Sequence, residues 1–331
     1  MTDQPARSIL RTHQVRRREV LRWLGVGGTA LLAGCTVEGA DDESDASTGG
    51  TTGGSSSGAD ASTSGGSSSG DASTSSGGES DGETSSGGVE CGDAAAEWAS
   101  GGTAAMTAKA CYPDPFVGAG ACALICETTE GPCTADTIER QDVSEGFTGL
   151  PVRLALKIVD ADTCEPVAGA RVEIWHTQRT GVYSGVTPSG MMCYGDDPDA
   201  VNYLYFRGTQ SAGADGRVDF DTCYPGWYGG RAIHIHFRVY LGDDEYLTSQ
   251  LFFADALTEE IFSSHPDYSE FGQPDTLNTT DNIIGGVDDL SPYVLDVQRM
   301  ADGAMLASKV VAIRSSAGES LCSAGGMGGP P

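Results

Sequence analysis

The chain has 331 residues and a formal net charge of −28, because 47 acidic side chains outnumber 19 basic ones. This strong negative charge argues against nucleic acids and anionic membrane surfaces as partners, since both are themselves negatively charged. The 10 cysteines favour disulfides in an exported protein over a zinc site. Cys122 and Cys126 are four residues apart, but no second cysteine pair or nearby histidine completes a zinc pattern.

Residues 1–34 are predicted to be an export signal that does not contribute to the fold. The three arginines at 16–18 are close to the twin-arginine pattern. The apolar run at 23–32 is shorter than the roughly 20 residues that span a bilayer. Leu-Ala-Gly before Cys35 is typical of a lipoprotein cleavage site. We therefore expect lipidation at Cys35 and a protein held in the bacterial cell envelope, periplasmic or on the outer surface, by its lipid anchor only.

Residues 35–89 are predicted to be the lipidated cysteine and a disordered, acidic linker rich in Ser and Gly, in which the unit Asp-Ala-Ser-Thr recurs. A segment with so few apolar side chains cannot offset the loss of chain entropy on folding. We therefore expect a flexible tether. Residues 90–331 are long enough for one domain with its own core. Without Cys35 the cysteine count is odd, so one thiol is expected to be free or to pair between chains.

The domain is predicted to be all-β, because short alternating segments are separated by clusters of Gly, Pro and Asp. The predicted strands are 152–159, 170–175, 203–206, 217–220, 233–240 and 246–253, with 293–297 and 304–313 as later candidates. A short helical segment is predicted at 258–264. Many short strands of this kind favour a β-sandwich or a barrel.

The most informative segment, residues 224–240, reads YPGWYGGRAIHIHFRVY. In a strand His234 and His236 project from the same face, about 7 Å apart along the chain. Tyr228 precedes them, and Tyr183 stands in a glycine-bounded turn. Phenolate oxygens with imidazole nitrogens favour Fe(III) over zinc or Cu(I), and such an ion would lower a tyrosine's pKa. Each of these side chains taken alone is more commonly a packing residue, so both interpretations stay open at this point.

Several motifs in order resemble the intradiol ring-cleavage dioxygenase family, which includes catechol 1,2-dioxygenase and protocatechuate 3,4-dioxygenase. They are TTEGP at 128–132, CEPVAGA at 164–170, VEIWH at 172–176, GVYSG at 181–185, PGWY at 225–228, RAIHIH at 231–236 and LTSQLFF at 247–253. The similarity extends over about residues 122–313, and the block at 225–236 is highly specific. The compact loop between Tyr228 and Arg231 resembles the exported branch of the family.

The resemblance implies a β-sandwich of mixed short strands and a mononuclear, non-haem Fe(III). Its implied ligands are Tyr183, Tyr228, His234 and His236. Tyr228 would be released when substrate arrives, Arg231 would stabilise charge building on the substrate ring, and Gln250 would assist near substrate and oxygen. The implied reaction is cleavage of a catecholic aromatic by O2 to a cis,cis-muconate-type product.

Two departures from the family pattern leave the substrate open. Gln178 stands where an Asp is usual, and Cys133 replaces an aromatic residue after Glu-Gly-Pro. His176 is expected to be structural or to contact the metal ligands without binding the metal itself.

Two alternative functions remain: a tethered module that binds iron or catechols without turnover, and a structural sandwich such as a transthyretin-like or carbohydrate-binding module. Arg231 and Gln250 favour catalytic activity over the binding module, since binding alone would not require them. The sequence is also compatible with a homo-oligomer.

Overall fold

The computed structural model describes residues 91–118 and 122–324. The predicted signal, lipidation site and linker, residues 1–34 and 35–89, lie outside the described residues, and they stay predictions. In the described part of the chain, no helix has both the length and the apolar character needed to cross a membrane.

Strands dominate the described chain and form two sheets of four. The strands are β1 (Pro151–Asp160), β2 (Arg171–Trp175), β3 (Arg207–Ser211), β4 (Arg217–Cys223), β5 (His234–Leu241), β6 (Asp244–Phe252), β7 (Asp296–Arg299) and β8 (Met305–Ile313). The α-helices are α1 (Met191–Tyr194) and α2 (Asp255–Ser264). Short 3₁₀ turns occur at Thr103–Ala105, Lys109–Cys111, Pro198–Asn202, Ser269–Phe271 and Asn278–Thr280.

The two sheets differ in their strand directions. The first has the order β4-β1-β8-β7, in which β1 and β8 are parallel and the other pairs antiparallel. The second has the order β3-β2-β5-β6 and is antiparallel throughout. Alternate residues of both sheets, such as Leu154 and Leu156 in β1 and Ile235 and Phe237 in β5, enter one apolar core. This is the β-sandwich that the sequence predicted.

The predicted strand at 203–206 is wrong, because this segment is a turn and the strand begins at Arg207. Phe206 has a φ of +56°, in the left-handed region, which interrupts extended backbone and lets both Tyr205 and Phe206 enter the core. The candidate at 293–297 is shifted, since β7 begins at Asp296. The predicted helix is α2, which begins three residues earlier than expected. The remaining predicted strands differ from the observed ones only at their ends.

Disulfides pair all but one of the cysteines in the described residues. The pairs are Cys91–Cys111, Cys122–Cys164, Cys126–Cys322 and Cys133–Cys193. Cys223 is free and buried in the core. The prediction of disulfides with one thiol left over is therefore confirmed for these residues, and Cys122 and Cys126 bond to separate partners.

Candidate metal centre

The two histidines of β5 project from the outer face of the second sheet. Ile235 lies between them and enters the shared core, so His234 and His236 point the opposite way. His236 is paired across the sheet with Trp175 of β2 on one side and Gln250 of β6 on the other. Directly opposed residues of antiparallel strands share a face, so this register brings three distant parts of the sequence together.

Loops bury this outer face, so the histidines are shielded from solvent although they point away from the core. His234 and His236 are 3% and 2% exposed. A Cβ on Gly131 would lie 3.3 Å from the His236 Cε1 atom, so the loop that carries the Glu-Gly-Pro motif packs directly on that ring. A side chain at position 131 would be strained by the φ of +74° and would require the His236 ring to give by a few tenths of an ångström.

A close contact between two loops brings the tyrosines together. Gly181 has a φ of +79°, and a Cβ there would collide with the carbonyl oxygen of Trp227. Only glycine tolerates both conditions, so the turn before Tyr183 can lie against the segment that carries Tyr228. As a result the hydroxyl oxygens of the two tyrosines are 3.4 Å apart.

The four candidate ligands converge on one point. The His234 Nε2 atom lies 3.3 Å from the Tyr183 hydroxyl, 3.3 Å from the Tyr228 hydroxyl and 3.2 Å from the His236 Nε2 atom. The structure thus brings together Tyr183, Tyr228, His234 and His236, the set that the sequence singled out.

The protonation of these groups leaves nitrogen lone pairs available to a cation. Burial lowers the pKa of both His234 and His236 well below the usual value, with neighbouring positive charge acting in the same direction. The His234 Nδ1 atom is 2.6 Å from the carbonyl oxygen of Ala232 and donates to it, so the Nε2 lone pair faces the cluster. Burial, and secondarily Tyr228, raises the pKa of the Tyr183 phenol well above 10, an effect that a bound cation would oppose.

These residues fit a hard trivalent metal ion. Two phenols and two neutral imidazoles supply the oxygen and nitrogen donors that suit Fe(III). Among the described residues, no three His, Cys, Asp or Glu side chains come together as a metal-binding group, so a metal here would require the tyrosines as ligands.

Arg231 and Gln250 border the cluster, as expected. The Arg231 Nη1 atom lies 3.4 Å from the Tyr228 hydroxyl and 3.5 Å from the His234 Nε2 atom, and its Nη2 atom donates to the Gln250 side-chain oxygen. The Gln250 amide nitrogen donates in turn to the carbonyl oxygen of Thr129 at 2.8 Å. The site therefore has a cation and a fixed amide at its edge.

His176 lies outside the cluster. Its Nδ1 atom is 2.8 Å from the carbonyl oxygen of Thr177, and its Nε2 atom is 2.7 Å from the Thr222 hydroxyl. Burial lowers the pKa of His176 to about 3, so it is a neutral, fully hydrogen-bonded ring, in keeping with a structural role.

The two departures from the family pattern both lie near the tyrosine loops. Gln178 is buried, and its amide nitrogen donates to the Tyr205 hydroxyl at 3.0 Å. Cys133 forms its disulfide with Cys193, and this bond packs in one apolar cluster with Tyr183. The Tyr183 backbone N–H also donates to the carbonyl oxygen of Cys193 at 2.9 Å.

Two side chains that sequence reasoning missed support the site. Trp175 stacks on His236 with ring centroids 4.8 Å apart and an interplanar angle of 8°. Asp281 accepts a hydrogen bond from the Arg231 Nε atom at 2.9 Å. Trp175 belongs to a recognisable strand motif, but the sequence does not show that it pairs with His236 across the sheet. Asp281 lies 50 residues from Arg231, and no motif surrounds it.

Similarity to known proteins was found at the sequence and the structural level. The chain is 29% identical over 147 residues to catechol 1,2-dioxygenase 1 of Acinetobacter lwoffii, a match that covers 37% of this chain and 44% of that protein. The chain thus spans less than half the length of this curated relative. No family model matches the chain.

The fold is similar to that of an intradiol ring-cleavage dioxygenase from Tetranychus urticae, with a TM-score of 0.51 and 28% identity. The superposition covers 58% of this chain and 95% of that one. The dioxygenase domain of a carbohydrate-binding fusion protein from Streptomyces sp. SirexAA-E also aligns, at 22% identity and a TM-score of 0.42. The chain is therefore homologous to catechol 1,2-dioxygenase over part of its length and has the β-sandwich fold of an intradiol ring-cleavage dioxygenase.

Proposed function

We propose that this chain is a non-haem, Fe(III)-dependent dioxygenase that cleaves a catecholic aromatic between its two hydroxylated carbons. The observation that carries the proposal is the convergence of two tyrosines and two histidines beside Arg231 and Gln250. Partial homology to catechol 1,2-dioxygenase supports the same reaction class. In the balanced reaction one O2 breaks one carbon–carbon bond, and both oxygen atoms enter a cis,cis-muconate-type product without an external reductant.

Tyr183, Tyr228, His234 and His236 would hold the iron. When bound, the ion would supply Lewis acidity and a template for the catechol oxygens and O2. The neutral imidazoles offer nitrogen lone pairs, and burial in loops keeps bulk water from competing for the donors. The protein thus contributes a preformed set of ligands, three of which are buried.

The two tyrosines would have different roles because they differ in exposure. Tyr183 is buried and its backbone is tied to Cys193, so it would remain in place throughout the reaction. Tyr228 is only half-buried and lies directly before an exposed turn at Gly229 and Gly230. It is therefore the tyrosine that would move aside for substrate, and its phenolate oxygen would then take up one of the two catechol protons to become the neutral phenol.

Arg231 would stabilise negative charge on the bound ring, because its Nη1 group faces the ligand cluster from a site with little water. Gln250 holds the second guanidinium nitrogen, and its own amide is fixed by Thr129. These contacts orient the cation before substrate arrives, so no reorganisation is needed during the reaction.

We also propose that the protein is exported and anchored through a lipid on Cys35. The arginine run and the Leu-Ala-Gly-Cys sequence support this location. Four disulfides among the described residues add support, because such bonds persist in oxidising compartments outside the cytoplasm.

The test is oxygen uptake by the iron-loaded protein with catechol under ¹⁸O2. We expect one O2 consumed per catechol and a dicarboxylic product that carries two labelled oxygens. Catechol binding without oxygen uptake would instead favour the binding module. No iron, no catechol binding and no uptake would leave only a structural sandwich.

A further inference from the structure

Arg231 is held from behind by a carboxylate that lies outside every recognised motif. The Asp281 side chain is fully buried, and its Oδ2 atom accepts hydrogen bonds from the Arg231 Nε atom at 2.9 Å and from the Ala232 backbone N–H at 2.8 Å. Asp281 therefore contacts both the arginine and the backbone that leads into the histidine strand.

The carboxylate is itself fixed, because both of its oxygens are engaged. The Oδ1 atom accepts from the backbone N–H groups of Ile283 and Ile284, at 2.9 and 3.4 Å. A buried carboxylate with this many donors has one orientation, and removing its charge would leave donors without a partner. Asp281 thus presents a rigid anion to Arg231.

This anion determines which guanidinium nitrogen faces the site. Arg231 donates through Nε to Asp281 and through Nη2 to Gln250, which leaves Nη1 pointing at Tyr228 and His234. Loss of the Nε contact would free the guanidinium to rotate away from the cluster.

We propose that Asp281 is a positioning residue that orients Arg231 toward the bound catecholate and so sets substrate affinity and turnover. This inference rests on the proposed function, because it assigns Arg231 to the charge of the substrate. Asp281 hydrogen-bonds to Arg231 and to the backbone N–H of Ala232 rather than to a candidate ligand, so iron content separates an effect through Arg231 from one passed along the histidine strand.

The decisive variant is Asp281→Asn, which keeps the shape of the side chain and removes its charge. We expect the iron content to be unchanged, because no candidate ligand is altered. We expect the Kd for catechol, measured anaerobically from the visible spectrum of the ferric protein, to rise about 10- to 100-fold, with a comparable fall in turnover. The double variant Asp281→Asn with Arg231→Gln is expected to be no worse than Arg231→Gln alone, since both changes remove the same interaction.

Asp221→Asn is the matched control for loss of a buried ion pair. Asp221 is similarly buried in β4 of the first sheet, away from the candidate centre, and pairs with Arg153 of β1 and with Lys109 of a 3₁₀ turn. We expect this change to lower the melting temperature while leaving the Kd for catechol as in the wild type. Comparing the two variants thereby separates a general loss of stability from a change in the orientation of Arg231.

The outcomes distinguish this inference from the proposed function. An active wild type with an Asp281→Asn variant of unchanged Kd and turnover would overturn the role of Asp281 alone, as would fully additive effects in the double variant. A wild type that binds catechol but does not cleave it would overturn the proposed reaction. The Kd values of the wild type and the variants for catechol would still test the orientation of Arg231. A wild type that binds no catechol would overturn both.

Discussion

His234 and His236 are neighbours on one strand, but different contacts hold their rings. His234 donates through Nδ1 to the carbonyl oxygen of Ala232. The Nδ1 atom of His236 has no hydrogen-bond partner within the described structure, and the ring is instead stacked on Trp175. The orientation of His236 therefore depends on the packing of an indole rather than on a hydrogen bond at Nδ1.

Replacing Trp175 by Leu is expected to weaken iron binding. Without the stacked ring His236 can rotate, and loss of an outer contact of this kind typically reduces metal affinity about 10- to 100-fold. Chelator competition measures the change. Trp98→Leu is the control, because Trp98 contacts Arg299 and Glu260 instead of the site. Equal iron affinity in Trp175→Leu and the wild type would contradict the role of the stack.

Replacing Tyr228 by Phe is expected to remove most turnover and to change the visible spectrum of the ferric protein, because one oxygen donor is lost. Tyr203→Phe removes the same hydroxyl from an exposed tyrosine and is expected to behave as the wild type. Iron analysis and turnover check both variants. Wild-type turnover in Tyr228→Phe with iron still bound would rule out Tyr228 as a functional ligand.

At the scale of elements, one disulfide joins two loops that line the candidate centre. Cys133 follows the Glu-Gly-Pro motif whose Gly131 packs on His236, and Cys193 lies in α1 after the Tyr183 turn. The bond spans 60 residues of sequence and packs against Tyr183. Position 133, where the family resemblance implies an aromatic residue, thus carries a covalent link between the loops.

The double change Cys133→Ser and Cys193→Ser is expected to lower the free energy of unfolding by about 2–5 kcal/mol and also to weaken iron binding, because the Tyr183 loop loses its tie. Cys91→Ser with Cys111→Ser is the control, since that pair lies away from the cluster. We expect the control to lose stability and to keep iron affinity. Unchanged iron affinity in the first variant would show that the disulfide only stabilises the fold.

Most of the strands and the convergence of the four candidate ligands could be predicted because both leave local patterns in the sequence. The alternating side-chain pattern at 233–240 indicated β5. The His-x-His spacing, with Tyr228 nearby, indicated the cluster of candidate ligands. The turn at residues 203–206 was mistaken for a strand, because an apolar, aromatic run does not reveal that Phe206 takes a positive φ. Cross-strand register and the Asp281 contact depend on tertiary packing, which no local pattern records.

At the scale of the whole molecule, the buried neutral histidines couple stability to pH. Burial lowers the folded-state pKa of His176 to about 3 and that of His234 and His236 well below 6.5. The unfolded chain binds protons below about pH 6.5 while the folded chain does not, so stability is fully present above that pH and falls as the pH decreases.

For the iron-free domain, the free energy of unfolding in urea is expected to decrease between pH 6.5 and pH 5. In this range the histidines dominate, since most unfolded carboxyl groups titrate lower. Urea titrations at several pH values measure the slope, and a His176→Gln variant is expected to show a shallower one. Stability that is constant or rises as the pH falls over this interval would contradict the neutral, buried state of the histidines.

The visible spectrum of the purified, iron-loaded protein tests the central claim most directly, before and after anaerobic addition of catechol and then on admission of air. A metal held by two tyrosines predicts a coloured protein whose absorption band shifts with catechol and bleaches with oxygen. A protein that takes up no iron and stays colourless would contradict the assignment of Tyr183, Tyr228, His234 and His236 as a metal centre.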